Sequence, residues 1–459
     1  MNIFKVTMVV VAAAVMTGCA LTPNYQRPDV AKPANWTNGS NDVNATTVTA
    51  DWWTRYGSDE LNQLMAKALA TNHEIGAAKQ RIEQARASVT VARAQQLPLA
   101  TIGGGASRSQ DTDTKQYSHS EQGTLQVSYE ADLWGGQAAN TNASRARLLA
   151  TQEDRDALAL VIQAEVATNY FTALALQERI AIAHENEKAA QELLRLVNVR
   201  VTNGATSSLE TAQQQTVLLG IQAQIPSLEQ QLSENLSALA VLVGEAPQNF
   251  SISANSLSAL TIPAIAASPP ASLMEQRPDV RAVEANLHAA NADIGAARSA
   301  LFPSLDLSLG ATAVGIASGG TSTIASAAAS LAQVLFDGGE RRAQVKSAKA
   351  QYGELAENYV QTVLIAYQEV HDSLKSVNTA QVRVDLLLAQ VEQSERAYKL
   401  ARIRYDNGAD DLLTLLDGQR SRLDAQDSLI QAQVARFTST TALFKALGGG
   451  WEMGTFLVS

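Results

Sequence analysis

Residues 360–409 read VQTVLIAYQEVHDSLKSVNTAQVRVDLLLAQVEQSERAYKLARIRYDNGA, and this stretch decides the fold. Val360, Val363, Tyr367, Val370, Leu374, Val377, Val384, Leu388, Val391, Tyr398 and Tyr405 fall on alternating steps of three and four. Only Gln381, Glu395 and Arg402 interrupt the series, so it is a heptad seam of about six repeats. The run then ends at Asn407-Gly408, a turn signal. No proline occurs from Glu340 to Asn407, and Gly353 is the only glycine before the turn. At 1.5 Å per residue such a helix is about 100 Å long, which is coiled-coil length.

The same text occurs about 204 residues earlier. Asn203-Gly204-Ala205 matches Asn407-Gly408-Ala409, and Glu165-Val166 matches Glu369-Val370. Residues 137–203 carry neither proline nor glycine and hold a seam of smaller residues running from Ile162 through Ala173, Ala183 and Ala190 to Val201. After each turn a second helical stretch follows, about 205–243 and 409–447. In the latter, Leu416, Leu423, Ile430, Phe437 and Phe444 recur every seven residues. Each half is therefore expected to be an antiparallel helical hairpin, and Pro226 is expected to kink the first returning helix.

Ahead of each long helix the period changes to two. Leu125, Val127, Tyr129, Ala131 and Leu133 alternate with polar residues, as do Leu305, Leu307, Leu309, Ala311 and Ala313. These are amphipathic strands, with hairpin partners expected at 98–109 and 323–334. The strands are long enough to cross an outer membrane. Four strands cannot close a membrane barrel, and an open edge in lipid is not tolerated. Three chains would give twelve strands and a lumen.

The expected organisation is a signal peptide at 1–18, an extended segment at 19–57, a first repeat at 58–244 and a linker at 245–275. A second repeat at 276–448 and a short tail at 449–459 complete it. The β-hairpins are expected at about 98–134 and 303–336, and the helical tips at 203–204 and 407–408. The fold class is mainly α with a small β part.

Lys5 and the apolar run Val6–Val15 make a signal segment too short to span a bilayer as a helix. Cys19, the only cysteine, follows Gly18 at its end and resembles a lipoprotein cleavage site. That resemblance makes Cys19 the acylated first residue of the mature chain, with Ala20 implying sorting to the outer membrane. The plainer alternative is a cysteine placed there by chance.

A formal charge of −10 and a pI near 5.1 argue against nucleic acid as partner. The five histidines are scattered without ligand spacing, and Gly103-Gly104-Gly105 and Gly448-Gly449-Gly450 lack the Lys-Ser/Thr of a phosphate loop. No enzyme, metal or cofactor is expected.

Several longer motifs, in order, resemble the TolC/OprM family of outer-membrane efflux channels, in its lipoprotein branch. They are CALTPNYQRP (19–28), YEADLWG (129–135), RPDVRAVEANLHAANADIGAARSALFP (277–303) and YDNGADDLLTLLDGQ (405–419). The resemblance covers about residues 19–451. It implies a homotrimer with a twelve-stranded barrel in the outer membrane and a helical barrel through the periplasm. Its implied partners are a periplasmic adaptor and an inner-membrane RND-type pump, and its cargo is drugs or other small toxic compounds. A type I secretion duct for proteins and a non-conducting coiled-coil lipoprotein are the alternatives.

The resemblance also places Tyr405, Asp410 and Asp417 near the periplasmic aperture, with Glu210 a further gate candidate. Asp410 and Asp417 lie seven residues apart, so three chains would give two carboxylate rings; an ordinary solvated helix face is the alternative. Asn203-Gly204 and Asn407-Gly408 are expected to dock the adaptor, although glycine also simply permits the turn. Arg200 and Arg404 flank the tips, either pairing with acids there or capping the last helical turn.

Overall fold

The computed structural model describes residues 21–31, 33, 36, 48–265, 270–316 and 320–449. Cys19, the signal segment and the tail from Gly450 lie outside them. Two pairs of helices dominate. Helices α1 (Asp59–Thr71) and α2 (His73–Ala94) precede strands β1 (Leu99–Gln110) and β2 (Tyr117–Ala131). Helices α3 (Gly136–Thr202) and α4 (Ser208–Leu242) follow them. A short α5 (Leu273–Gln276) then leads into α6 (Pro278–Ser299), β3 (Ser304–Ile316), β4 (Gly320–Ala332), α7 (Glu340–Asp406) and α8 (Leu412–Ala446). Both long helices have 67 residues and both returning helices have 35, at a constant offset of 204. Helix α4 runs through Pro226 without interruption.

The chain forms two compact units that cut across the repeats. The first takes residues up to Val30, Lys79–Asp154 and Val280–Thr362; the second takes Ala31–Ala78, Arg155–Asp279 and the rest from Val363. Long helices pack sideways, so each unit draws matching pieces from both halves.

In the first unit the two β-hairpins join through β2 and β3 into one antiparallel sheet, ordered β1-β2-β3-β4. Register fixes its two faces. Ile102, Leu125, Ala311 and Ala325 share one rung, and Ala100, Val127, Leu309 and Ala327 share another on the same face. The intervening rung is Thr101, Gln126, Gly310 and Ser326, on the other face. Ile102, Leu125 and Leu309 are exposed, and among the described residues β1 and β4 are unpaired edges. A sheet with an apolar outer face and two open edges is unfinished by itself.

In the second unit the buried seam of α7 departs from the expected one. Ala380, Ser394 and Ala401 are buried where the heptad reading chose Gln381, Glu395 and Arg402, and Leu388 is exposed. The seam steps back one position at each, because small residues let neighbouring helices approach while long polar ones sit at the margin. All three polar interruptions leave the buried seam this way.

Seven aromatic residues, Trp52, Trp53, Tyr56, Tyr170, Phe171, Phe437 and Phe444, gather around one short turn. The segment 19–57, expected to be extended, includes a 3-10 turn at Trp52–Tyr56. That turn buries Trp52 against Phe444, with ring centroids 4.9 Å apart, and Tyr56 against Phe171 at 4.8 Å. Burial of these large rings accounts for the local helical turn.

The C-terminal ends of both returning helices are tied by equivalent bonds. Asn72 Nδ2 donates to the Leu242 carbonyl at 3.0 Å, and Arg277 Nη1 donates to the Ala446 carbonyl at 3.0 Å. Gly448 ends α8 with φ 87°, and a Cβ there would lie 2.8 Å from the Gln276 carbonyl oxygen. Gly448→Ala is expected to lower stability by about 2 kcal/mol, from left-handed strain and that contact. Gly353→Ala, mid-helix with open space around it, should instead gain about 0.5–1 kcal/mol. Thermal unfolding of the two variants should shift in opposite directions.

Candidate functional site

The helical tips are built alike. Gly204 (φ 71°) and Gly408 (φ 69°) take the left-handed conformation. Ala205 N–H then bonds the Arg200 carbonyl, and Ala409 N–H the Arg404 carbonyl, each at 2.8 Å. The Asn203 amide donates to the Val199 carbonyl at 2.9 Å and the Asn407 amide to that of Ile403 at 2.7 Å. The returning helices start three residues beyond the positions expected from sequence, because Ser207 and Asp411 cap them. Asp411 Oδ1 accepts from Thr414 N–H at 3.0 Å, and the Ser207 hydroxyl accepts from Leu209 N–H at 3.3 Å.

A clasp joins the hairpins above the tips. Tyr405 is buried and its hydroxyl donates to Glu210 Oε2 at 2.9 Å. The Arg200 guanidinium lies 4.3 Å over the Tyr405 ring and donates to the carbonyls of Tyr405 (3.1 Å) and Asp406 (3.0 Å). Arg200 thus caps the last turn of the other hairpin's helix rather than its own. Beneath lies an apolar cluster of Leu193 and Val197 with Tyr398, Ala401, Leu412, Leu415 and Leu416.

Of the residues chosen from sequence, the structure brings Tyr405, Glu210 and Arg200 together. It does not add Asp410 and Asp417. Asp410 accepts two bonds from Arg404 of its own hairpin, at 2.5 and 2.9 Å. Asp417 is exposed, 3.8 Å from Arg420. Asp410 is therefore a neutralised carboxylate in this chain, and Arg404 takes the first of its two expected roles, pairing with an acid at the tip.

Two further links escaped sequence reasoning. Arg179 on α3 forms a paired contact with Asp427 on α8, at 2.6 and 3.3 Å. Arg422 on α8 donates to Asn186 at 2.6 Å and lies 4.4 Å over the Tyr398 ring. The available signal was a break in the repeat: Asp427 and Arg422 correspond to Ala223 and Leu218 in the first half.

Burial, then the Glu210 hydrogen bond and charge, push the Tyr405 hydroxyl above its ordinary pKa. A raised group contributes stability present below its ordinary value, about 10 for tyrosine, and lost as pH rises through the shifted one. Hydrogen bonds from Arg404 hold Asp410 below the ordinary carboxylate range. Its contribution is present above that range and lost as pH falls through the lowered value. The tip contacts should therefore persist between about pH 5 and 9. Proteolytic sensitivity of the tips is expected to be flat across that window and to rise outside it.

Residues 64–245 and 270–449 match the family described as outer membrane efflux protein, and the two segments fall on the two repeats. The chain is 34% identical over 454 residues to the pyoverdine export outer membrane protein OpmQ of Pseudomonas aeruginosa, covering 96% of each. It is 28% identical over 458 residues to the cation efflux system protein CusC of Escherichia coli, covering 96% of this chain and 97% of the relative. Among solved structures, the outer-membrane channel OprN superposes with a TM-score of 0.86 at 29% identity, covering 94% of this chain and 100% of that one. The open state of the Neisseria gonorrhoeae MtrE outer membrane channel gives 0.85 at 26%, covering 94% and 98%.

Proposed function

Since the chain belongs to the outer membrane efflux protein family, we propose that three copies close its open sheet and paired hairpins into one continuous duct. The protein is an outer-membrane efflux channel. The observation that carries the trimer is the four-stranded sheet with two unpaired edges and an exposed apolar face. Lipid does not tolerate open edges, and twelve strands leave a lumen where eight fill with side chains.

The duct is passive and takes its energy from an RND-type inner-membrane pump through a periplasmic adaptor. The tips Asn203-Gly204 and Asn407-Gly408 receive the adaptor. Support comes from exposed aliphatic pairs at equivalent places, Val199 with Leu209 and Ile403 with Leu413. The clasp of Tyr405, Glu210 and Arg200 holds the periplasmic end closed, and the Arg404–Asp410 pair stiffens the second tip. The cargo is small: relatives are named for pyoverdine, antibiotic, toluene and cation export.

Acylation of Cys19 is part of the same proposal. Arg298, at the end of α6, donates to the Leu21 carbonyl at 3.0 Å, and Asn291 donates to that of Pro23 at 2.8 Å. The strand β3 begins at Ser304. The segment just after Cys19 is therefore held near the base of the sheet, where acyl chains would meet lipid.

Single-channel recording of purified trimers in a planar bilayer tests the function. A small but definite conductance is expected for the wild type. Silence from folded trimers, with the clasp intact or removed, would return the chain to the alternative of a non-conducting coiled-coil lipoprotein.

A further inference from the structure

Two amides interrupt the apolar packing above the tips. Helix α8 turns one face inward through Leu412, Leu415, Leu416, Gln419 and Leu423. The first three, with Leu193, Val197 and Tyr405, belong to the cluster at the clasp. Leu423 packs on a second cluster, formed by Ala190, Leu218 and Ile221. Gln419 falls between the two and is 0% exposed. Neither its amide nitrogen nor its amide oxygen has a hydrogen-bond partner among the described residues. Exchanging the two ends of the amide changes nothing, since both lack partners. On α4, Gln214 is also 0% exposed. Its Nε2 donates to the Ala190 carbonyl at 3.0 Å, and its Oε1 has no partner among the described residues. Val217, one turn further along α4, packs against both clusters, which puts Gln214 at the same boundary.

Other polar side chains between the hairpins are bonded: Arg179 holds Asp427, and Arg422 holds Asn186. An amide that leaves water and finds no partner carries its whole desolvation cost. A leucine at position 419 would fill nearly the same space without that cost. A second copy of the chain brings no relief, because both glutamines are already enclosed within one chain. Water reaches these amides only when α8 parts from α3 and α4, so parting regains hydrogen bonds that the packed state forgoes. The clasp at Tyr405 acts in the opposite sense, since its contacts exist only while the hairpins are together.

We infer that Gln419 and Gln214 form a destabilised layer in the tip core, which offsets the clasp and keeps the closed end easy to open. The inference rests on the clasp reading proposed above. The clasp supplies closure, and the layer limits how deep that closure is, so a modest push on the tips suffices. Gln419 has two unsatisfied atoms and Gln214 one, so Gln419 carries the larger share.

Hydrogen exchange read by mass spectrometry on assembled protein tests the layer, with oligomer mass checked by light scattering. In Gln419→Leu, amides of residues 412–423 should exchange at least about tenfold more slowly than in wild type. Those of residues 437–444, on the same helix but away from the layer, should not change. Gln419→Met, unbranched like glutamine, should repeat the result if leucine proves too stiff to pack. Gln214→Leu, which also loses the Ala190 bond, should slow exchange less, about threefold. In a planar bilayer, openings of Gln419→Leu should be several-fold rarer than those of wild type. Unchanged or faster exchange around residue 419 in both Gln419 variants overturns the inference. Slower exchange with wild-type opening overturns the layer's part in gating. A silent wild type removes the clasp reading and the gating role with it, while exchange still judges the layer on its own.

Discussion

Tyr405→Ala is expected to raise the channel's conductance several-fold and to destabilise the periplasmic tips. The substitution removes three things at once: the hydrogen bond to Glu210, the ring beneath the Arg200 guanidinium, and a buried side chain in the tip cluster. Loss of a large buried ring typically costs about 3–5 kcal/mol, much of which should appear as loosening of the hairpin ends. Tyr405→Phe separates the contributions, since it keeps the ring and loses only a hydrogen bond to a charged acceptor, about 1.5–3 kcal/mol. Conductance should follow the order alanine, phenylalanine, wild type, and Glu210→Gln should resemble Tyr405→Phe. An alanine variant that conducts like wild type would show that the clasp is not the constriction.

The second large effect belongs to Arg277, far along the sequence from the tips. Its guanidinium donates to Asp279 at 3.0 and 2.7 Å and to the Ala446 carbonyl, and it lies 2.7 Å from Glu369. The side chain is only 8% exposed. Removing one partner of a buried ion pair costs about 3–5 kcal/mol. The carboxylates of Asp279 and Glu369 retain contact with water, so about 2–4 kcal/mol is the better expectation for Arg277→Ala. Arg277→Lys keeps the charge but not the planar fork, and should recover less than half of the loss. The yield of folded, assembled protein and its unfolding temperature would measure both. An Arg277→Ala protein as stable as wild type would mean that the α8 end is held by packing alone.

The sequence announced those features whose signals are local. Proline-free runs ended by Asn-Gly located the long helices, and alternation located β2 and β3. β1, with Gly103-Gly104-Gly105, and β4, rich in alanine and serine, gave weaker patterns, because the strand state there comes from pairing with β2 and β3. The joining of β2 to β3 spans the two halves and has no sequence mark. At the tips, Arg404 and Asp410 lie six residues apart around one turn, and their pairing was among the readings left open. Arg200 with Tyr405 and Arg179 with Asp427 are separated by more than two hundred residues, and nothing local ties them. The α7 seam was mistaken by one position at Ala380, Ser394 and Ala401 because regular three-four stepping from the large apolar residues runs through Gln381, Glu395 and Arg402, while close helix packing favours the small residue one position earlier.

The matched lengths of the helices, 67 with 67 and 35 with 35, bear on how such a gene can change. Lengthening α3 by one turn, without the same change in α7, would leave one hairpin protruding and slide every rung above the insertion past its neighbour. Lateral contacts such as Arg179 with Asp427 or Leu423 with the Ala190 cluster would then meet the wrong partners. A matching insertion in all four helices preserves them. The reach of the helices can thus drift only through concerted insertions and deletions in both halves, so most single-site length mutations should be eliminated. Substitution remains free to make the two halves diverge in charge, as Asp427 against Ala223 already illustrates.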